Sequence, residues 1–170
     1  MKNDDHSRRF ILWLMAIAVV FAVTFNETKR SNMNQRRHYA SLVIQSEIKE
    51  SPTRYLKGID FKRPVKLWDL KEGDVVIQYQ TPSAPQGNFY GFLGSKPTDL
   101  GISEFGIDPN TGLKVKKRLR VYVVTRDMDV LSSYAAPVKD DWSTPEDETQ
   151  TRGNKLQLFS SCKECFERRQ

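Results

Sequence analysis

One uncharged run constrains this chain more than any other feature: FILWLMAIAVVFAVTF, Phe10 to Phe25. As a helix rising about 1.5 Å per residue it spans roughly 24 Å, against roughly 30 Å for a hydrocarbon core. Thr24 and Asn26 can sit at an interface, and a thin bilayer tolerates the mismatch. The tail before it, residues 1–9, ends in Arg8 and Arg9. Hydropathy therefore points to a single-pass membrane anchor over residues 10–25. The alternatives are a signal peptide cleaved on secretion, with Ala22-Val23-Thr24 as a weak cleavage site, and a buried helix of a soluble protein. The heavier cationic flank, Lys29, Arg30, Arg36 and Arg37, favours a cytoplasmic C-terminal part.

The chain carries 27 Lys and Arg against 21 Asp and Glu in 170 residues, a net charge of +6. The excess is local. From Lys29 to Lys66 there are ten cationic and three anionic residues. Residues 26–58 thus read as a basic helical stalk. Asn34 to Glu50 has helical spacing, with an apolar face of Tyr39, Leu42, Val43 and Ile48. Ser51 suits an N-cap, Pro52 the first helical position and Gly58 the C′ position of a second, short helix. Beside an anchor these cations would attract anionic lipid, at about 1 kcal/mol each near the surface. A solvated stalk explains them equally.

From Ile59 the pattern changes to strands and turns. A turn at Lys71 to Asp74 leads into a β-branched run, Val75 to Gln80. Gly87 to Leu93 is a short aromatic strand, and SKPTDLGI is a helical turn closed by Gly101. A long loop turns at Asp108 to Gly112. Arg118 to Thr125 is the strongest strand signal, apolar on both faces and so expected to be central. DVLSSYAAPV and KLQLFS add further strands. The expected fold is α+β: a compact, bent, mostly antiparallel sheet domain over residues 59–161, with long loops. Loops of that length favour a binding or catalytic role.

Several chemistries are excluded. No phosphate-cradling glycine loop or nucleophile elbow is present, and both histidines, His6 and His38, precede the sheet region. Two cysteines, Cys162 and Cys165, cannot close a tetrahedral zinc site. Residues 162–170 read as a tail carrying CxxC, either as a disulfide or as two thiols. A redox site is not expected, because no strand-to-helix pattern frames the pair. The carboxylates Asp140, Asp141, Glu146, Asp147 and Glu148 lack EF-hand spacing and read as a solvated loop around Trp142. Lys114, Lys116, Lys117, Arg118 and Arg120 could line a phosphate track, with Phe89 and Tyr90 stacking bases, but the acidic loop would cancel much of that field. Nucleic acid is therefore not the expected partner.

The order of features after Leu67 resembles a known group. It runs Leu70-x-x-Gly73-Asp74, Gln78-Tyr79, Gly87-x-Phe89, Leu100-Gly101-Ile102, Tyr122-x-Val124, VLSSYAAPV, an acidic tryptophan loop, then Gly153-x-x-x-Gln157-x-Phe159. That order resembles the C-terminal modules of bacterial polymorphic toxins, of the tuberculosis necrotizing toxin type and of polymorphic toxin type 46. The resemblance covers residues 67–160. It implies a sheet-rich module distantly akin to ADP-ribosyltransferases that hydrolyses NAD.

Carried over by position, the resemblance places Gln78 where the family has a phosphate-holding arginine, ahead of Tyr79. It places Arg120 where the family has a histidine, two before Tyr122. Gln157 matches the family's late glutamine beside the scissile bond, with the glycine run before it reduced to Gly153. The resemblance thus implies Gln157 as the catalytic residue and Gln78, Tyr79, Phe89, Arg120 and Tyr122 as substrate contacts. Arg120 would supply the missing phosphate contact. NAD is expected as substrate, with no cofactor or metal, and an immunity protein as partner. The competing reading is an inactive, membrane-tethered interaction module on the same scaffold. From its own spacing, Gln157 would be an ordinary polar residue on the exposed face of an edge strand.

Overall fold

The computed structural model describes residues 4–48, 51–137 and 151–169. The acidic loop around Trp142 lies outside them. Helix α1 runs from Asp4 to Glu47 and α2 from Pro52 to Leu56. Among the described residues nine strands follow: β1 Lys66–Leu70, β2 Val75–Gln80, β3 Phe89–Gly91, β4 Phe105–Ile107, β5 Lys114–Lys116, β6 Arg118–Val124, β7 Met128–Tyr134, β8 Leu156–Phe159 and β9 Phe166–Arg168. Among the described residues, seven of these form one sheet in the order β1-β7-β8-β3-β2-β6-β9. Every pairing is antiparallel, and β4 with β5 makes a separate hairpin. The α+β expectation therefore holds.

The chain divides into two compact units, Met1–Arg36 and Arg37–Gln170. In the first, described side chains such as Phe21, Val19 and Phe25 stand more than half exposed. Thr24 and Thr28 donate their hydroxyls back to the carbonyls of Val20 and Thr24. Among the described residues no helix is long and apolar enough to cross a membrane. The anchor expected over residues 10–25, and the lipid contact of the basic segment with it, accordingly have no support. The run Phe10 to Phe25 is sixteen residues long before Asn26 and Glu27, short of the roughly 20 apolar residues of a typical span.

The second unit begins inside the expected stalk. Ala40 and Ile44 are fully buried, in one cluster with Ile59, Phe61, Leu131 and Phe159. Leu42, expected on the apolar face, is 51% exposed. The buried pair is spaced i, i+4, so it lies on one helical stripe. Ser51 caps nothing by its side chain and instead adopts a left-handed φ of 45°.

A second cluster holds Leu70, Val76, Tyr90, Tyr122, Val124, Val130, Leu158, Cys165 and Phe166. Val130 and Leu131, like Leu158 and Phe159, are consecutive strand residues in different clusters, so the two cores lie on opposite faces of the sheet. Tyr90 stacks on Phe166 at 4.1 Å between ring centroids. The expected C-terminal tail is thus structural: a 3-10 turn, Lys163–Cys165, feeds β9, which pairs with β6. Strand β6 is not central. β9 covers only its Tyr122–Val124 end, and Arg118 and Leu119 remain exposed.

Candidate functional site

The turn before β8 sets up the site. Gly153 has φ +64°, and a Cβ there would lie 2.5 Å from the Ala135 carbonyl oxygen. No other residue fits, because an L side chain would add both strain and collision. Past this turn β8 enters between β7 and β3. Gln157 pairs with Gly91 on one side and Ser133 on the other, and Gly91 pairs with Ile77 of β2. One row across the sheet therefore reads Ile77, Gly91, Gln157, Ser133.

Gln157 is neither on an edge strand nor exposed; it is 3% accessible. Its Nε2 donates to the Gly58 carbonyl at 2.7 Å and to Ser133 Oγ at 3.3 Å. With both N–H groups of the amide engaged, Oε1 is its remaining polar atom. Opposite it, Gly91 has no side chain, and Leu100 Cδ1 lies 2.5 Å from where a Cβ would stand. Gly91, Leu100 and Gln157 all line a cleft of about 570 Å³.

The cleft collects residues from distant segments. Tyr55 and Arg54 come from α2, Gln78, Tyr79 and Gln80 from β2, and Phe89 from β3. Ile107, Pro109 and Lys117 come from the β4–β5 region, and Lys163 from the turn before β9. Phe89 is held by edge contacts to Phe159 at 5.2 Å and a tilted one to Tyr55 at 6.2 Å. Tyr79 donates its hydroxyl to the Ser95 carbonyl. Four of the six expected site residues thus line one cleft: Gln78, Tyr79, Phe89 and Gln157.

The other two do not line it. Tyr122 is buried, and its hydroxyl donates to Gln80 Oε1 at 3.4 Å. Arg120 spends its guanidinium on backbone carbonyls: Nη1 on Ala84 at 3.0 Å, Nη2 on Thr81 at 3.0 Å and on Pro82. It fastens the loop that forms one wall of the cleft. Gln78 acts similarly, its Nε2 donating to the Gly87 and Phe89 carbonyls and its Oε1 accepting from Gly87 N and Gln80 Nε2. Gln78, at the family's phosphate-holding position, and Arg120, expected to supply that contact in its place, are therefore both engaged in shaping the cleft.

Of the cations that do line it, Lys117 was marked in the sequence only as part of a possible nucleic-acid track, and Arg54 and Lys163 were missed. Nothing local marked Arg54 and Lys163, since they lie far apart in the chain and meet only through the fold. Among the described residues no Asp or Glu lines it. Burial pushes the Tyr90 hydroxyl's pKa well up, Gln86 only partly offsetting it, so this tyrosine stays protonated at neutral pH. Thr81 Oγ1, also in the lining, is buried without a partner among the described residues. At the rim, Asp108 accepts from the Ser83 hydroxyl and N–H and from the N–H groups of Asn110 and Thr111, which draw its pKa down to about 2.

The chain belongs to a family of bacterial toxin domains: residues 17–166 match the family described as Bacterial toxin 46. A similar curated protein is the NAD(P)(+) glycohydrolase toxin Tse6 of Pseudomonas aeruginosa, 39% identical over 113 residues. That match takes in 66% of this chain but 26% of Tse6, so the chain spans about a quarter of its curated relative. A solved structure of Tse6 in complex with Tsi6 superposes with a TM-score of 0.68 at 34% identity, over 82% of this chain and 97% of that one. Rhs1-CT in complex with its cognate immunity protein RhsI1 is a remote likeness, with a TM-score of 0.44 at 21% identity over 68% of this chain and 82% of that one.

Proposed function

We propose that this toxin-family chain consumes NAD, hydrolysing the bond between nicotinamide and ribose. The observation that carries the reading is the make-up of the cleft. Among the described residues three cations, Arg54, Lys117 and Lys163, and no carboxylate line a pocket walled by Tyr55, Tyr79 and Phe89. That combination suits a ligand with a pyrophosphate and flat rings. Its similarity to Tse6 supports the same substrate class.

The chemistry asks little of the protein. When the C1′–N bond breaks, its electron pair neutralises the pyridinium nitrogen, so nicotinamide leaves uncharged and no general acid is required. Positive charge develops on the ribose, as in glycoside hydrolysis. A fixed amide oxygen beside it lowers the barrier, because it is already oriented when the charge appears. Gln157 Oε1 fits that role, since the Nε2 side is tied down by Gly58 and Ser133. Water adds at C1′ and releases a proton, giving ADP-ribose and nicotinamide. Transfer of ADP-ribose to another acceptor would use the same cation. A cell making such an activity needs an inhibitor, so an immunity-type protein is the proposed partner. A solved complex of Tse6 with a second protein supports this. Membrane attachment is not part of the proposal.

The test is to incubate the purified full chain with NAD and follow nicotinamide release, with Gln157→Ala alongside. Turnover lost in the variant supports the reading, whereas no turnover by the unmutated chain overturns it.

A further inference from the structure

Cys162 and Cys165 are joined by a disulfide across the 3-10 turn. A bridge between residues three apart closes so short a loop that it removes little freedom from the unfolded chain. It is therefore a poor stabilising device, and β9 is already held by its pairing with β6. What surrounds the sulfurs is more specific. Arg126 aims at both, with Nε 3.1 Å from Cys165 Sγ and Nη2 3.3 Å from Cys162 Sγ. Glu164 Oε1 lies 3.0 Å from Cys162 Sγ alone. Cys162 is half-buried and Cys165 only 1% accessible.

We propose that this bridge is a thiol–disulfide exchange site, opened by a dithiol reductant at Cys162 and stabilised open by Arg126, and that its state sets the cleft wall at Gln86 and Lys163. The accessible sulfur is the one attacked. A reductant thiolate bonds to Cys162 Sγ, the Cys162–Cys165 bond breaks, and its electron pair leaves on Cys165. The Arg126 guanidinium stabilises that leaving thiolate, which speeds exchange and lowers the thiol's pKa. The reductant's second thiol then attacks its own sulfur in the mixed disulfide and expels Cys162. Glu164 disfavours a lasting anion there and accepts the Cys162 S–H once it is protonated. The sum is one protein disulfide and one dithiol giving two protein thiols and one oxidised reductant. Two electrons and two protons are transferred.

The turn reaches the cleft directly. Lys163, between the two cysteines, lines it, and the Lys163 carbonyl accepts Gln86 Nε2 at 3.3 Å. Gln86 also donates to the Tyr90 hydroxyl at 2.7 Å, and Tyr90 stacks on Phe166, the residue after Cys165. Releasing the bridge therefore loosens Lys163 and the Gln86 loop together. None of this depends on which ligand the cleft holds.

The test uses the purified, oxidised full chain without denaturant. Dithiothreitol reduction is timed by alkylation and mass measurement, and reduced glutathione is used to trap the mixed disulfide for peptide mapping. Expected are reduction of the folded chain, a glutathione adduct on Cys162, and reduction slowed about tenfold in Arg126→Gln, as loss of a cation beside a thiolate implies. Arg126→Lys, which keeps the charge, recovers part of the rate. Amide hydrogen exchange over residues 86–90 rises on reduction, and equally in a Cys162→Ser, Cys165→Ser double variant without reductant. Reduction only after unfolding, an adduct on Cys165, an unchanged rate in a folded Arg126→Gln, or unaltered exchange at residues 86–90 would each overturn the proposal.

Discussion

Gln157 Nε2 donates to the Gly58 carbonyl oxygen at 2.7 Å, across a separation of ninety-nine residues. This contact ties the strand nearest the proposed reacting bond to the segment that follows α2. It fixes the amide, and so fixes which atom of Gln157 is left for substrate.

Gln157→Ala should therefore act twice. Activity should fall about 100-fold, the order seen when one preorganised polar group is removed from a reacting centre. Stability should fall by about 1–3 kcal/mol, because Gly58 and Ser133 lose a buried partner. Nicotinamide release measured beside thermal unfolding separates the two effects, and a folded variant with full turnover would remove Gln157 from the chemistry.

Arg120 should behave as a fastener of the cleft wall rather than as a ligand to phosphate. Arg120→Lys replaces a planar fork by a single ammonium that cannot span Thr81, Pro82 and Ala84 together. We expect KM for NAD to rise several-fold with kcat within about twofold, and a stability loss of about 1–3 kcal/mol. A large drop in kcat at unchanged KM would contradict this.

Ile44→Ala should destabilise the domain by about 2–5 kcal/mol, the usual cost of emptying a buried aliphatic site. A fragment starting at residue 52 should unfold at a lower temperature than one starting at residue 37. Equal midpoints would return residues 37–48 to the status of a stalk.

Asp108 gives a pH dependence. Its folded pKa, about 2, lies below the ordinary value of 3.8. Its contribution is therefore complete above about pH 4 and is lost as pH falls through 2. Asp108→Asn should flatten the stability profile over that window, as followed by chemical denaturation at stepped pH. An unchanged slope would show that Ser83 and the Asn110 turn hold without the charge.

Gly153→Ala should cost about 2–4 kcal/mol, from a left-handed φ and a collision with the Ala135 carbonyl. The midpoint of denaturant unfolding reads it directly.

Much of the sheet was legible from local signals. Val75 to Gln80 and Arg118 to Val124 form where β-branched residues cluster, and Gly101 closes its turn with φ +73° as expected. The β4–β5 hairpin was not, because its two strands of three residues each carry exposed side chains on either side of a turn. Nor was the burial of Ala40 and Ile44. Periodicity marks an apolar stripe but not which of its residues meets a partner.

The sequence by itself determined the toxin family, through an order of short motifs, and the strands and turns that local chemistry requires. Only the tertiary structure decided the site. It buried Gln157 between two strands, turned Arg120 and Gln78 into supports for a loop, and brought Arg54, Lys117 and Lys163 around one cleft. The reason is physical. A strand's existence depends on neighbours along the chain, whereas a side chain's task depends on hydrogen-bond partners and charges that long-range packing alone brings within reach.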